Sequence, residues 1–582
     1  MTHNTTRTNR GSSKSKLSRR LLLMGGFGGI LATASMHELI NLQLHNAGAL
    51  SASASIQQRR ERIVASQRGQ IMARDGSVMA MSRPVNTLIA SPNVVREYGT
   101  ERTISWLARI LNQSPGKLSE ALYDQNSNYT VLARQVEAEP SRQIRLAINS
   151  REFGGLRLEP TSRRSYPSGE LGAHVVGFVN GEGVGQSGVE RYYDLELTGQ
   201  PGRIISDLDP SGKPIPVGRY DPLAARDGSS LQLTIDRGIQ HIAEQEIEAA
   251  LATYGSEGGS IVVTDPRNGD VLAMANRPVF DPRSLHNYNG WSRSFLNPAV
   301  SLIYDPGSTF KIFTMAAALD AEVIGANSTH NLPGVYEYWG LEFQNWDKKT
   351  YPNQTMTSVL ANSSNTGALW VANRMGADRF YDYVDLFGFG RRSGIDLAGE
   401  VNGLVKTRGS LTWYPSDLAA NSFGQSISVT PIQMVSAFSA IANGGELVQP
   451  RVVRSIIHPN GSITSTKINK KRILKNSTVR TIKKMMYNAE HTISGNKSLS
   501  PNYETTGKTG TAEISGNGGM LPEQTIASYI GFGPLAEPSI LIMVKIDRPQ
   551  RGTWGSQVAS PVFRRMVDRV FRYKGVPGKS KI

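Results

Sequence analysis

The sequence predicts a multidomain α+β protein that begins with a single transmembrane helix. Its 582 residues, 39% of them hydrophobic and 19% charged, are enough for two to four domains with at least one large core. A basic tail without acidic residues precedes an uncharged apolar stretch near the N-terminus. Beyond that stretch, strand patterns mix with amphipathic helix patterns up to the C-terminus, as expected for an α+β protein.

The positive charge lies at the two ends of the chain. The formal net charge is +16, and residues 1–20 carry six basic side chains and no acid, while residues 562–582 carry seven against Asp568. A protein that binds nucleic acid spreads its basic residues over a folded face, so this distribution argues against a nucleic-acid partner. The chain has no cysteine, which excludes disulfides, thiol catalysis and cysteine-ligated metals.

Residues 21–44 are predicted to form a membrane anchor. Their uncharged part, residues 21–36, spans about 25 Å as a helix, the lower limit for crossing a bilayer. The cations of the tail at 1–20 predict that this tail is cytoplasmic and that the remainder lies outside the cytoplasm. Three alternatives remain for this stretch. It could be a cleaved signal peptide, because Ala32-Thr33-Ala34 resembles a cleavage site, or part of a twin-arginine export signal, because Arg19-Arg20 precedes it. The third alternative is a buried core helix.

Beyond the anchor, composition divides the chain into three regions. Residues 45–66 are polar and rich in serine, glutamine and arginine, which predicts a stalk, and they precede mixed regions at 67–220 and 221–582. The elements expected in these regions are a tight turn at Gly76 between short strands, helices near 101–112 and 137–150, a strand running into a long helix at 231–255, and a hairpin at 259–278.

Serine chemistry is indicated by one of four Ser-x-x-Lys matches, which begin at Ser13, Ser114, Ser308 and Ser494. Ser308 follows the turn-forming Asp305-Pro306-Gly307 and begins an apolar helix pattern, so Lys311 lies one turn on and on the same face. The positive end of the helix dipole lowers the pKa of an ammonium there, and a neutral amine accepts the proton of an attacking serine. The alternative is that Ser308 merely caps the helix and Lys311 faces solvent.

Two further short motifs favour the catalytic interpretation. Ser363-Ser364-Asn365 begins 55 residues after Ser308, between apolar helical stretches, and Lys508-Thr509-Gly510-Thr511 begins 145 residues after Ser363. Glycine in the second motif lets a strand approach a ligand closely, and its lysine and threonines offer a cation and hydroxyls to a carboxylate. Each motif alone is weak, whereas the ordered triple is a strong signal.

The order SxxK, SxN, KTG resembles that of the active-site serine penicillin-recognising enzymes. The flanking text narrows the resemblance to the class B penicillin-binding proteins, since RGQIMARDGSVMAMS is similar to their opening and RRSYPSGELGAHVVGFV to their pedestal signature. The uninterrupted LTGQPG is most similar to the division-specific FtsI type. The resemblance covers roughly residues 20–570 and implies a pedestal, or dimerisation-like, α/β domain at 67–220. It also implies a penicillin-binding transpeptidase domain at 221–582, with helices around an antiparallel sheet.

The resemblance also implies a reaction. Ser308 would attack the penultimate D-Ala carbonyl of a peptidoglycan stem peptide and form an acyl-enzyme, while Lys311 takes the serine proton. Ser363 would relay a proton to the leaving amine, and Asn365 would hold the donor peptide and Lys311. An amine from a neighbouring stem then accepts the acyl group, which makes the cross-link. A D,D-carboxypeptidase side activity is compatible with this chemistry.

Substrate recognition is implied for the third motif. Lys508, Thr509 and Thr511 would bind the terminal carboxylate of the donor or of a β-lactam, and Gly510 would give that ligand access to the strand. The backbone N–H groups of Ser308 and Thr511 would form the oxyanion hole. No metal and no organic cofactor is required by this chemistry.

The implied setting is septal cell-wall synthesis during cell division, at the inner membrane, with a single span and the bulk of the chain in the periplasm. The partners are donor and acceptor stem peptides, β-lactams, divisome proteins and a membrane-embedded glycosyltransferase, because no glycosyltransferase domain is evident in the sequence. The near alternative is the elongation-specific class B enzyme of the lateral wall. A β-lactamase-like hydrolase is disfavoured, because such an enzyme needs a glutamate loop and no Glu-x-x-Leu-Asn occurs in 366–507. A membrane β-lactam sensor is also disfavoured, because it would need several membrane spans that the sequence does not show. An inactive division scaffold would leave the intact motifs unexplained.

Overall fold

The structure is a computed structural model, and it describes the chain in several ranges. These are residues 26, 29, 32–41, 59–123, 129–207, 220–285, 288, 292–493, 496–516 and 519–579. The chain divides into two compact units, of which the first comprises 1–65 with 201–225 and the second comprises 66–200 with 226–582. The predicted pedestal and transpeptidase regions therefore both contribute to the second unit.

The predicted anchor at 21–44 is described only at 26, 29 and 32–41, and residues 32–40 are helical. The predicted tail at 1–20 and residues 45–58 of the predicted stalk lie outside the described residues. Where the chain is described, none of its helices has both the length and the hydropathy that a membrane crossing needs.

The described residues form 21 strands. They are β1 (Arg59–Val64), β2 (Ile71–Met72), β3 (Val78–Ala90), β4 (Thr130–Val136), β5 (Leu156–Ser165), β6 (Gly202–Asp207), β7 (Tyr220–Leu223), β8 (Ser230–Leu233), β9 (Gly258–Thr264), β10 (Val271–Arg277), β11 (Thr329–Leu332), β12 (Val335–Tyr338), β13 (Leu341–Gln344), β14 (Tyr351–Thr355), β15 (Glu446–Val448), β16 (Val453–Ile457), β17 (Ile463–Ser465), β18 (Lys470–Arg472), β19 (Thr506–Gly516), β20 (Gly519–Gly533) and β21 (Ile540–Asp547).

Apart from the helical residues 32–40, the same residues form 17 α-helices. They are α1 (Pro92–Tyr98), α2 (Thr100–Leu111), α3 (Pro115–Leu122), α4 (Ala138–Asn149), α5 (Ala173–Val176), α6 (Gly188–Tyr192), α7 (Asp194–Thr198), α8 (Arg237–Tyr254), α9 (Pro298–Ser301), α10 (Lys311–Asp320), α11 (Met356–Ala361), α12 (Asn365–Met375), α13 (Ala377–Leu386), α14 (Pro415–Ser422), α15 (Pro431–Ala442), α16 (Asn476–Thr492) and α17 (Gly555–Tyr573).

The first unit contains a three-stranded antiparallel sheet in the order β1-β6-β7. Strand β1 pairs with β6 along its whole length, from Arg59 opposite Asp207 to Val64 opposite Gly202. The last part of the predicted stalk is thus a paired strand, which its polar composition did not indicate.

The second unit begins with a sheet in the order β17-β16-β8-β2-β3-β4, in which β5 also pairs with β3. Gly76 lies in the turn between β2 and β3 and has a φ of +84°, a conformation that glycine adopts without steric cost. The expected tight turn is therefore confirmed, whereas the strand that follows it, β3, is long, with 13 residues. The helices expected near 101–112 and 137–150 are confirmed as α2 and α4.

A five-stranded antiparallel sheet in the order β10-β9-β21-β20-β19 forms the centre of the second unit. In β9, Ile261 and Val263 belong to the hydrophobic cluster that α8 and α17 share, whereas Val262 belongs to the cluster on the other face. Both faces of this strand are therefore buried. The strand and helix predicted at 231–255 are confirmed as β8 and α8, and the hairpin predicted at 259–278 is confirmed as β9 and β10. Strand β19, at one edge of this sheet, carries the KTG motif.

Candidate active site

Ser308 lies on a short 3-10 turn that leads directly into a buried helix. The turn covers Gly307–Thr309, and α10 begins at Lys311, so the predicted position of Ser308 at a helix start is confirmed. Gly307 has a φ of +57°, and a Cβ atom there would lie 2.6 Å from the carbonyl oxygen of Thr511. Only glycine lets this turn pass so close to β19.

Lys311 is almost completely buried, with 1% of its surface exposed. Its Nζ atom donates to the carbonyl oxygen of Ser363 at 2.5 Å, to Oδ1 of Asn365 at 2.7 Å and to Oγ of Ser363 at 3.3 Å. These bonds bring the SxxK and SxN motifs into direct contact. The alternative in which Lys311 faces solvent is therefore wrong.

The SxN motif lies at the junction of α11 and α12, and its two serines have different structural roles. Ser364 is buried and caps α12, because its Oγ accepts from the Gly367 amide at 3.0 Å. Ser363 has a φ of +50°, a left-handed conformation that is unfavourable for a residue other than glycine. Such strain is common where a side chain must be held in one direction, and here the hydroxyl of Ser363 is held beside the lysines.

The KTG motif places a second buried lysine beside the same hydroxyl. Lys508 is 9% exposed, and its Nζ atom donates to Oγ of Ser363 at 3.1 Å. It also lies 3.3 Å from both the carbonyl oxygen and the hydroxyl of Thr509. The hydroxyl of Ser363 is therefore hydrogen-bonded to one lysine from each of the other two motifs.

Gly510 brings β19 against the turn that carries Ser308. A Cβ atom at this position would lie 2.5 Å from Oγ of Ser528 and 2.7 Å from the carbonyl oxygen of Pro306. The next residue is held by its side chain, since Oγ1 of Thr511 accepts from the Gly555 amide at 2.9 Å. The site residues predicted from the sequence thus lie on three adjoining segments.

Burial lowers the pKa of both lysines. Burial, reinforced by the positive charge of Lys508, holds the pKa of Lys311 well below its usual value of 10.5. Burial also lowers the pKa of Lys508, to about 8, although the negative charge of Glu490 partly opposes this effect. Burial therefore disfavours the charged form of both amines, and the charge of Lys508 disfavours it further at Lys311.

Glu490, on α16, is a residue of this region that sequence reasoning missed. Its carboxylate is 6% exposed and accepts from the Gly507 amide, the residue before Lys508, at 2.9 Å. Glu490 and Lys508 line one cavity of about 350 Å³. Nothing in the sequence distinguishes this glutamate from the solvent-facing glutamates of an amphipathic helix.

The other Ser-x-x-Lys matches do not contribute to the site in the part of the chain that the structure describes. Ser114 lies immediately before α3, and Ser13 and Ser494 fall outside the described residues.

Comparison with known proteins gives two family matches. Residues 259–568 match the family described as "Penicillin binding protein transpeptidase domain", and residues 63–233 match "Penicillin-binding Protein dimerisation domain". Stage V sporulation protein D of Bacillus subtilis is 33% identical over 506 residues, covering 85% of this chain and 76% of that protein. Peptidoglycan D,D-transpeptidase FtsI of Escherichia coli is 32% identical over 518 residues, covering 88% of this chain and 84% of that protein.

Solved structures show the same architecture. A peptidoglycan synthetase from Bifidobacterium adolescentis superposes with a TM-score of 0.73 at 25% identity, over 90% of this chain and 98% of that one. Penicillin binding protein 3 from Mycobacterium tuberculosis, complexed with aztreonam, gives a TM-score of 0.69 at 25% identity, over 89% of this chain and 98% of that one.

Proposed function

The chain belongs to the class B penicillin-binding proteins, and from this premise we infer that it is a serine-type D-Ala-D-Ala transpeptidase of peptidoglycan. The observation that carries this conclusion is the convergence of three distant motifs on one hydroxyl, since Lys311 and Lys508 both donate to Ser363. The substrates are peptidoglycan stem peptides, and β-lactams are inhibitors that react at the same site.

We propose that acylation begins when Oγ of Ser308 attacks the penultimate D-Ala carbonyl and its proton passes to the neutral amine of Lys311. The negative oxygen of the tetrahedral intermediate would lie between the N–H groups of Ser308 and Thr511, whose segments are in contact at Gly307. The C–N bond then breaks, Ser363 delivers the proton to the leaving D-Ala amine, and an ester on Ser308 remains.

The second half of the reaction reverses these roles. The amine of a neighbouring stem attacks the ester carbonyl, its proton returns through Ser363 and Lys311, and Oγ of Ser308 leaves as the hydroxyl. We assign donor recognition to Lys508, Thr509 and Thr511, which would bind the terminal carboxylate. Asn365 holds Lys311 through its Oδ1 and is itself fixed, because its Nδ2 donates to the carbonyl oxygen of Gln344 at 2.9 Å.

Covalent labelling tests this proposal. Labelled penicillin should add one acyl group to the protein, on Ser308, and Ser308→Ala should show no adduct in intact-mass analysis. Lys311→Ala should also fail to acylate while keeping the wild-type unfolding transition, because the base is lost and the serine remains. Adduct formation on Ser308→Ala would disprove the assignment of the nucleophile.

We further propose septal cell-wall synthesis in cell division as the setting, with the lateral-wall enzyme as the alternative. Support comes from the LTGQPG text and from the similarity to FtsI of Escherichia coli. A fluorescent fusion should collect at the division site of dividing cells. Uniform labelling of the side walls would instead favour the elongation-specific role.

The membrane setting is likewise a proposal. The basic tail at 1–20 and the apolar stretch at 21–44 support an N-in, C-out single span, with the pedestal domain at 67–220 and the transpeptidase domain at 221–582 in the periplasm. A topology reporter fused after residue 582 should be active only outside the cytoplasm. A mature protein that begins at Ser35 would instead show a cleaved signal peptide. The proposed partners are a membrane-embedded glycosyltransferase and divisome proteins.

A further inference from the structure

Glu490 is a buried carboxylate that the reaction described above does not use. Three groups donate hydrogen bonds to it: the hydroxyl of Tyr529, the hydroxyl of Ser498 at 2.8 Å and the amide of Gly507 at 2.9 Å. The backbone amide can only donate, the hydroxyl of Tyr529 has its proton available for Glu490, and the hydroxyl of Ser498 lies within reach of both Glu490 and Asn496. A buried anion is costly unless a cation or several donors compensate it, which makes its position next to the KTG motif informative.

The position of Glu490 connects it to the two catalytic-site lysines. It accepts from the residue that precedes Lys508 in β19, and both side chains line the cavity of about 350 Å³. Lys508 and Lys311 in turn donate to the same hydroxyl of Ser363. Two ammonium groups so close together in a buried site repel each other, so the group that stabilises one cation decides which lysine is charged.

We propose that Glu490 is a positioning residue of the transpeptidase: its carboxylate keeps the proton on Lys508 and thereby leaves Lys311 as the neutral amine that receives the proton of Ser308. This inference rests on the proposed function, because it uses the roles assigned there to the two lysines. It adds the group that distributes the protons between them.

The electrostatics of the surroundings agree with this geometry. Burial lowers the pKa of Lys508 and the negative charge of Glu490 opposes this effect, while burial and then the positive charge of Lys508 lower the pKa of Lys311. Burial also raises the pKa of Glu490 above its usual 4.5, and the hydrogen bonds that Glu490 accepts oppose this effect and favour the carboxylate. The other titratable groups near the pair are Tyr529 of β20, whose pKa is raised well above 10.0 so that it stays neutral, and the exposed Lys497 in the same cavity. Helix α17 contributes the uncharged Ser556 and Gln557 to the cavity.

The pH dependence of acylation by a fluorescent penicillin tests the proposal on the full chain. Wild type should lose rate at alkaline pH as Lys508 loses its proton, with a midpoint near its pKa of about 8. Glu490→Gln keeps the shape of the side chain and the acceptor for the Gly507 amide but removes the negative charge. The midpoint of the alkaline loss of rate should therefore shift to lower pH by about one unit or more. At pH 8 that shift corresponds to a rate about five-fold below wild type.

Two variants separate charge from packing. Glu490→Asp keeps the charge and should restore the alkaline limb toward the wild-type position. Tyr529→Phe removes a hydrogen bond to Glu490 but not the charge, so its limb should stay near that of wild type. A Glu490→Gln protein that folds and acylates with an unshifted alkaline limb would overturn the proposal.

A second measurement does not depend on activity. Trace acetylation of the lysines at a series of pH values, read by mass spectrometry, reports the pKa of Lys508 and of Lys311 directly. The proposal requires Lys508 to keep its proton to a higher pH than Lys311 in wild type, and the opposite order refutes it even if Glu490→Gln does not fold. If wild type shows the required order but forms no adduct on Ser308, the proposed function fails and the inference about the protons does not.

Discussion

Replacement of Lys508 by alanine separates recognition of the donor's carboxylate from the chemistry of acylation. Lys508 is 9% exposed, and its ammonium has a pKa of about 8, so at neutral pH it is a charged donor in a largely buried position. A hydrogen bond to a charged group contributes about 1.5–3 kcal/mol, which corresponds to about 10- to 150-fold in rate. Lys508→Ala should slow acylation by at least this factor. A second effect adds to this loss, because removal of the neighbouring charge raises the pKa of Lys311 and leaves less neutral amine.

The assay compares two donor peptides that differ only at their C-terminus, one with the free carboxylate and one with a neutral amide. The loss caused by Lys508→Ala should be smaller for the amide, since the charge that Lys508 would meet is absent there, and the difference isolates the carboxylate contact. Lys497→Ala is the matched control, because this lysine is exposed in the same cavity and has no assigned role. Equal losses for both donors would refute carboxylate recognition by Lys508.

Glycine at 510 is required on steric grounds: in Gly510→Ala the new Cβ would lie 2.5 and 2.7 Å from two oxygen atoms. We expect penicillin acylation to fall at least about ten-fold, as for a loss of about 1.4 kcal/mol or more, whereas Gly116→Ala, whose Cβ meets no described atom within 4 Å, should acylate normally. Burial lowers the pKa of His174 from 6.5 to about 4, so between these values the unfolded chain binds more protons and stability should rise with pH. The contribution of His174 to this gain is about 3 kcal/mol, so denaturant unfolding of His174→Gln across the window should show a pH dependence that is smaller than wild type by about this amount.

The parts of the fold that the sequence predicted are those in which local pattern and burial agree. The β9–β10 hairpin alternates between two apolar faces around a turn, so periodicity was sufficient to identify it. Strand β1 was missed because its polar residues carry no such period and its partner β6 lies about 140 residues away. The apolar helix pattern predicted after Ser308 does not show where the helix ends, and α10 ends at Asp320. There the side chain of Asp320 accepts from the Lys475 amide at 2.8 Å, a long-range contact that no local pattern reveals.

The candidate site was also predicted only in part from the sequence. Motif order and spacing predicted a site made of Ser308, Lys311 and the other proposed residues, because the proposed chemistry requires those residue types, and the structure brings their segments together. The left-handed backbone of Ser363 was not visible, since it is imposed by the junction between α11 and α12 and not by the residue itself. Glu490 was not visible either, because whether a helical carboxylate is buried depends on what packs over it.

The hydrogen bonds around Ser363 make the two lysines one titrating unit. Each donates to the same hydroxyl, so a change in the charge of one alters the proton affinity of the other. A substitution that removes the charge of Lys508 therefore changes both donor binding and the supply of neutral Lys311, and a single rate cannot separate the two effects. Their separation requires one variable that acts on the carboxylate alone, which is the amide donor, and one that acts on the protons alone, which is Glu490. The roles of the two lysines can then be assigned separately. The alkaline limb of the pH–rate profile reports the protonation of the lysines, and the ratio of rates for the two donors reports recognition of the carboxylate.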